Sequence, residues 1–234
     1  MTRVAGVDGC PGGWAMVTAT VAGEQLVDLE LSRVPELTGA IDQTRTGRLV
    51  ALAIDMPIGL LDVHPRTADV EARMRLGPRR SSVFPTPLRT TLDAVDYPDA
   101  CERSRAACGK ALSKQAWNLM PKIRELDRLI DVTDQLRIAE AHPECAFLRM
   151  HDDQPLPLAK STAEGRELRA GLLTDSGRFD KHELAGIISS GIAPLIDTLD
   201  ALALAVTACH MAVGSERRLG DQIDRFGRRA EIVF

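Results

Sequence analysis

Aromatic side chains make up only 3% of this 234-residue chain, with one Tyr and two Trp, so its core must rest on Val, Leu, Ile and Ala. Cysteine is sparse and odd in number: Cys10, Cys101, Cys108, Cys145 and Cys209 are scattered, and no CxxC pair occurs. That argues against a disulfide framework and a Cys-based zinc site, and favours reduced thiols in a cytosolic protein. A strong charge of one sign is missing too. The net charge of −4 neither carries the basic signature of a dedicated nucleic-acid domain nor argues against such a partner. The N-terminus has no basic stretch followed by an apolar one, so no signal peptide is expected. The longest apolar run, near 201–209, is too short and too rich in small residues to span a membrane. Repeats, low-complexity tracts and flexible linkers are lacking, and the length suffices for a sizeable core.

What is present is a series of strand patterns. Residues 3–7 (RVAGV), 14–21 (WAMVTATV) and 26–32 (LVDLELS) favour extended structure, the last two by alternation. Their links are too short for a parallel crossover, which predicts an antiparallel meander. A helix over about 35–45, opened by Pro35, leads to 49–54 (LVALAI), a continuous apolar run as expected of a strand buried on both faces. The helix frees the fourth strand to lie parallel to the first, giving the order β-β-β-α-β. Residues 57–91, rich in Pro and Arg, read as an ordered surface loop after a short helix. Residues 98–135 read as helical, with Pro121 predicted to kink or break the run. A fifth strand is expected at 137–141 and a helix begins at Pro143. A capped helix follows at 161–173, with Ser161 or Thr162 ahead of Glu164, then a long helix at 193–213 and a short strand in AEIVF. The chain reads as one α/β domain over 1–234 with a mostly helical insertion at about 64–135.

Two carboxylates stand where strands end. In GVDGCPGGW (6–14), Asp8 closes the first strand and the Pro-Gly-Gly behind it reads as a turn. A phosphate-cradling loop is disfavoured, since GxxxxGK[ST] is lacking and no helix opens there. In LAIDMPIGL, Asp55 closes the fourth strand. If the two strands are parallel neighbours, both carboxylates leave the sheet at the end where α/β sites lie. Asp197 and Asp200, three apart, share one face of the long helix, whose small apolar body must pack tightly on the sheet. Taken singly, each aspartate is more often a cap or turn residue. Together, without His or Cys partners, they favour hard cations, Mg²⁺ or Mn²⁺, held by Asp8, Asp55 and Asp200. Such ions serve phosphodiester hydrolysis. Glu144 in EAHPECAF either joins them or caps the helix that Pro143 starts, and His142 reads as a structural histidine.

Residues 64–130 hold 13 Lys and Arg against 8 Asp and Glu, and residues 215–230 hold 5 Arg against 3 acids. A solvated face is the plainer reading of both. Within the first, Arg79, Arg80, Ser82 and Arg89 of RRSSVFPTPLR offer donors suited to a phosphate backbone. Phe84 either stacks a base or anchors the loop. Lys114, Asn118 and Lys122 share a helix face that looks to the site or to solvent. Lys114, Arg80 and Lys160 are expected to line the cleft.

The order β-β-β-α-β, with Asp at the ends of the first and fourth strands and an acidic C-terminal helix, resembles the ribonuclease H-like superfamily. DTLDALALAVTACH (197–210) is similar to the last catalytic helix of RuvC-type junction resolvases, which also carry two aspartates three apart; Asp55 stands where those proteins have Glu. GVDGCPGGW, IDMPIGL, RRSSVFPTP, LSKQAWNLMPKIRELD, HPE and KSTAEGR together resemble the family called domain of unknown function 429, whose members are predicted ribonuclease H-like nucleases. The resemblance implies a mixed sheet of strand order 3-2-1-4-5. It also implies a metal-dependent nuclease in which Asp8, Asp55, Asp197, Asp200 and Glu144 are catalytic. Nucleic acid or a nucleotide would be the partner, no membrane is involved, and a homodimer is compatible. Two other classes stay open. One is a nucleotide or small-phosphate binder on the related actin-like core, of which only one short copy is present. The other is a non-catalytic binding module that keeps the acidic pocket.

Overall fold

The computed structural model of the chain describes residues 2–63 and 65–234. The first three strand patterns form the meander that their short links demand. β1 (Thr2–Cys10), β2 (Gly13–Ala22) and β3 (Gln25–Val34) pair antiparallel in succession. The β1–β2 turn passes through Gly12 at φ 74°, left-handed backbone that favours glycine. α1 (Thr38–Arg45) then carries the chain across to β4 (Ala51–Ile54), which lies parallel to β1, and β5 (Ile138–Glu140) lies parallel to β4. The result is a five-stranded mixed sheet in the order β3-β2-β1-β4-β5.

Strand alternation divides the interior into two cores. Val4, Ala51 and Ala53 face one side, while Ala5, Val7, Leu52 and Ile54 face the other. The first side is closed by α8 (Leu195–Val213), flanked by α5 (Pro143–Met150), α6 (Ala163–Asp175) and α7 (Lys181–Ser189). The second is closed by α1 and α4 (Lys114–Leu129). α8 extends well beyond the apolar run at 201–209. By length and composition it could cross a membrane, yet Thr198 to His210 are buried without interruption among sheet and helices. An all-round apolar helix of this kind is a core element. It lies so close to β1 that a Cβ on Gly6 would stand 2.1 Å from the Ala205 nitrogen and 2.3 Å from the Ala201 oxygen.

Between β4 and β5 the chain forms α2 (Thr67–Leu76), α3 (Tyr97–Cys108) and α4, with short 3-10 turns between them. The segment 57–91, expected at the surface, is partly interior: Arg66, Asp69, Thr86 and Arg89 are buried. They can be, because each charge meets its opposite: Arg66 pairs with Asp69 and Glu140, and Arg89 with Asp127 and Asp224. α4 runs as one helix through Pro121, where a kink or break was expected. The missing N–H removes one helical bond, and tertiary anchors hold the helix on either side. Arg124 donates to the carbonyls of Leu92 and Ala94, and Glu125 accepts from the Leu37 N–H and the Trp14 indole. The strand in AEIVF is one half of a hairpin, β6 (Arg218–Ile223) with β7 (Arg229–Val233), which touches the main sheet through a bridge from Val233 to Ala141.

Candidate active site

The parallel register of β1 and β4 pairs Val7 with Ile54, so Asp8 and Asp55 come next, side by side. The Asp55 N–H donates to the Val7 carbonyl at 2.9 Å. Asp8 lies inside β1 rather than beyond it, because pairing with β2 continues to Cys10 and Gly13. Spaced by two from Gly6, it shares the face that carries α8. The first turn of α8 supplies Asp197, and Asp200 follows one turn in, toward the sheet. Four carboxylates from three elements thus meet at the carboxyl ends of two parallel strands. Asp200 is fully buried and Asp8 is 6% exposed, whereas Asp55 and Asp197 are half-buried.

This crowding dominates the electrostatics. Burial, then the charges of Asp55 and Asp200, push the Asp8 carboxyl well above its ordinary range. Burial pushes Asp200 up to about 6, against the pull of Lys160 and with further push from Asp55 and Glu144. The Lys160 ammonium donates to Asp200 Oδ2 at 2.6 Å. Desolvation would lower its pKa, but the charges of Asp200, Asp55 and Asp8 outweigh that and raise it. Asp200 Oδ1 is buried and accepts no hydrogen bond.

Lys160 is placed by a small assembly. Thr162 caps α6 by accepting the Gly165 N–H at 3.0 Å. A Cβ at Gly165 would stand 1.9 Å from the Ala159 carbonyl oxygen, so glycine lets the helix start fold back on the loop. Arg169 donates to the carbonyls of Leu158 and Gly165 and to Glu144 Oε1. Glu144 therefore has a different first task from the one expected of it: through Arg169 it fixes the loop that carries Lys160. Its Oε2 is buried without a partner. His142 caps α5, accepting the Glu144 N–H at Nδ1, with Nε2 beside the Ser82 carbonyl.

A cleft of about 240 Å³ opens above the carboxylates. Asp8, Asp55, Asp197 and Lys160 line one part; Met56, Phe84 and Leu119 give it an apolar wall, with Ser82, Gln115 and His142 as polar neighbours. The comparison with known families follows this geometry. Residues 6–225 match a family model described as Protein of unknown function (DUF429). The chain belongs to this family. No curated protein and no solved structure matches it. In this DUF429 protein the matched span takes in all four aspartates and the whole cleft lining.

The expected phosphate ligands divide. Lys160 and Ser82 line the cleft of the DUF429 protein, whereas Arg79 donates to the carbonyls of Leu156 and Pro157, at 3.2 and 2.9 Å. Arg89 is spent on Asp127, Asp224 and the Leu60 carbonyl. Arg80, Lys114 and Asn118 are exposed and lie outside the cleft lining, and the Lys114 ammonium stands 4.1 Å over the Tyr97 ring. The rotation of α4 decides this. Its buried face, Ala116, Met120 and Ile123, turns Gln115 and Leu119 into the cleft. Lys122 lies further along the same side, beside Gly9, donating to the Gly13 carbonyl and lying 4.3 Å over the Trp14 ring. Burial lowers its pKa.

Among the described residues, no three His, Cys, Asp or Glu side chains are set to hold a metal ion in this arrangement. The donor set is nonetheless that of a hard cation: carboxylates alone, with Asp200 Oδ1 unpartnered. The carboxylates of Asp55 and Asp197 accept no hydrogen bond among the described residues, and both are half-exposed.

Proposed function

We propose that this DUF429 protein is a divalent-metal-dependent hydrolase of phosphodiester bonds, with Asp8, Asp55 and Asp200 as ligands of Mg²⁺ or Mn²⁺ and Asp197 beside them. The observation that carries the reading is the fully buried Asp200 with one oxygen that accepts nothing, facing three further carboxylates. A buried acceptor left unsatisfied costs about 1–3 kcal/mol, more when charged. A cation removes that cost, and oxygen-only ligands select magnesium or manganese. When bound, such an ion supplies Lewis-acid charge to phosphoryl oxygens and makes water a nucleophile near neutral pH.

The reaction consumes one water: a new P–O bond forms, the ester P–O bond breaks, and the leaving oxygen takes up a proton. The chain's own groups set the stage. Lys160, held on Asp200 by its Arg169-braced loop, presents positive charge beside the carboxylates. Lys122 supplies a second cation next to Gly9. The amino end of α8 adds its partial positive charge around Asp197.

Asp8→Asn provides the test. Mn²⁺ binding followed by electron paramagnetic resonance, and Mg²⁺-dependent cleavage of a panel of single-stranded, duplex and branched oligonucleotides, are expected to be lost, with the far-UV circular dichroism unchanged. Cleavage by Asp8→Asn at the wild-type rate refutes the assignment.

A further inference from the structure

The cleft itself limits what can reach the carboxylates. Its volume of about 240 Å³ lies below the roughly 300–1,000 Å³ of clefts that hold drug-sized ligands. Asp8, only 6% exposed, is the most buried of the three aspartates that line it. A base can enter such a cleft only from a nucleotide that has left, or never joined, a duplex stack.

The walls are suited to such a nucleotide. Phe84 is half-buried and packs against the cores beneath α4 and α3, so its ring is a fixed platform where it meets the cleft. Leu119 and Met56 complete an apolar slot. The exposed Gln115 amide makes no hydrogen bond to the described residues, which leaves both its donor and its acceptor for a base edge.

Cation supply gives a separate argument. Duplex binders track the backbone with many lysines and arginines. Here four arginines of the insertion are committed to the protein, Arg66 to Glu140, Arg73 to the Val83 carbonyl, Arg79 to two carbonyls and Arg89 to two aspartates, while Arg80 is exposed outside the cleft lining. Lys160 and Lys122 are the cations that stand at the acidic end.

We infer that the cleft receives one unpaired nucleotide, its phosphate over Asp8 and Asp55, its base against Phe84 and Leu119, and its base edge read by Gln115. This rests on the phosphodiesterase reading and specifies its substrate: single-stranded nucleic acid, with paired duplex excluded; a nucleoside monophosphate, which has no diester to cleave, would enter the cleft only as a competing ligand.

The test has a binding arm and a cleavage arm. Fluorescence anisotropy with the Asp8→Asn protein compares a labelled single strand, the same strand in a duplex, and a strand with abasic sites. Competition by nucleoside monophosphates tests whether a single nucleotide fills the slot. The single strand is expected to bind at least tenfold more tightly than the duplex. The abasic strand should lose roughly tenfold, the scale of one stacked base. The slope of log Kd against log salt should correspond to one or two phosphates, about 0.7–1.4 in magnitude. In the wild-type background, Phe84→Leu keeps apolar volume but loses the ring; KM for the single strand should rise about tenfold with kcat within threefold. Full competition by a monophosphate supports a slot that takes one base with its phosphate. Equal binding of duplex and single strand, or wild-type KM in Phe84→Leu, overturns the inference and leaves the hydrolase reading standing. Cleavage that survives Asp8→Asn removes the hydrolase reading, while the binding arm still decides whether the cleft takes an unpaired base.

Discussion

Gly6→Ala is a single-methyl perturbation whose effect follows from the packing of α8 on β1. The added Cβ would lie 2.1 Å from the Ala205 nitrogen, 2.3 Å from the Ala201 oxygen and 2.5 Å from the Leu204 carbonyl carbon. All three are backbone atoms, so no rotamer change relieves the contact. Restoring ordinary contact near 3.4 Å moves α8 away from β1 by about 1.3 Å. Overpacking of this kind costs typically 1–3 kcal/mol. Backbone on the opposing side puts Gly6→Ala at the upper end, about 3 kcal/mol, or a Tm lower by roughly 6–12 °C for a chain of this size. The same shift separates Asp200 on α8 from Asp8 on β1, and a displacement of about 1 Å can cost a hundredfold in a site assembled from several elements. Calorimetry and Mn²⁺ titration read the two effects. Gly39→Ala in α1 is the control: nothing lies within 4 Å of its added Cβ, so its Tm should hold or rise. A Gly6→Ala protein with wild-type Tm and wild-type Mn²⁺ affinity refutes the close-packed α8–β1 geometry.

Two further outcomes follow from buried charge. Arg89→Met removes one of the two guanidiniums that Asp224 and Asp127 share and leaves them Arg228; urea unfolding should show a loss of about 1–3 kcal/mol, whereas a residue that only held phosphate would weaken nucleic-acid binding at unchanged stability. His210 is buried, with Nε2 3.5 Å from Arg178 and Nδ1 unpartnered. Burial, then the charges of Arg149, Arg178 and Arg217, depress its pKa to about 4 from 6.5. Below pH 6.5 the unfolded chain takes up a proton at His210 that the folded chain refuses, so stability falls as pH drops from about 6.5 to about 4. The full effect is about 3 kcal/mol. His210→Asn should flatten that part of the stability–pH curve, and an unchanged slope refutes the assignment.

The sheet was legible because its determinants are local. Links of a few residues force β1 to β3 into a meander, and the unbroken apolar run before Asp55 marks a strand covered on both faces. The convergence of Asp8, Asp55, Asp197 and Asp200 followed from topology, since parallel neighbours end together. The insertion was harder to read because its side chains choose partners far along the chain. Arg89 meets Asp224 across 135 positions, and no local pattern separates such an arginine from one that waits for phosphate. The rotation of α4 was within reach: the apolar spacing Ala116, Met120, Ile123 puts Gln115 and Leu119 beside the core, while Lys114 and Asn118 fall one step further out.

The buried carboxylates of this fold fall into two sets. Glu140 has Arg66, Glu144 has Arg169, Asp134 has Arg45, and Asp127 and Asp224 share Arg89 and Arg228. In each, a guanidinium supplies charge and directed donors, which makes burial tolerable. The aspartates at the ends of β1 and β4 and on α8 have no arginine among the described residues. The cation bonded to them is one half-exposed lysine, Lys160, on a single oxygen of Asp200. Lysine is a point charge with fewer fixed donors, and it leaves Asp200 Oδ1 without a partner while the charges of Asp55, Asp200 and Asp197 bear on Asp8. Such an arrangement is costly for the chain alone and becomes favourable once a further positive charge enters. That difference between the two sets is the physical content of the proposal that this end of the sheet holds a divalent ion.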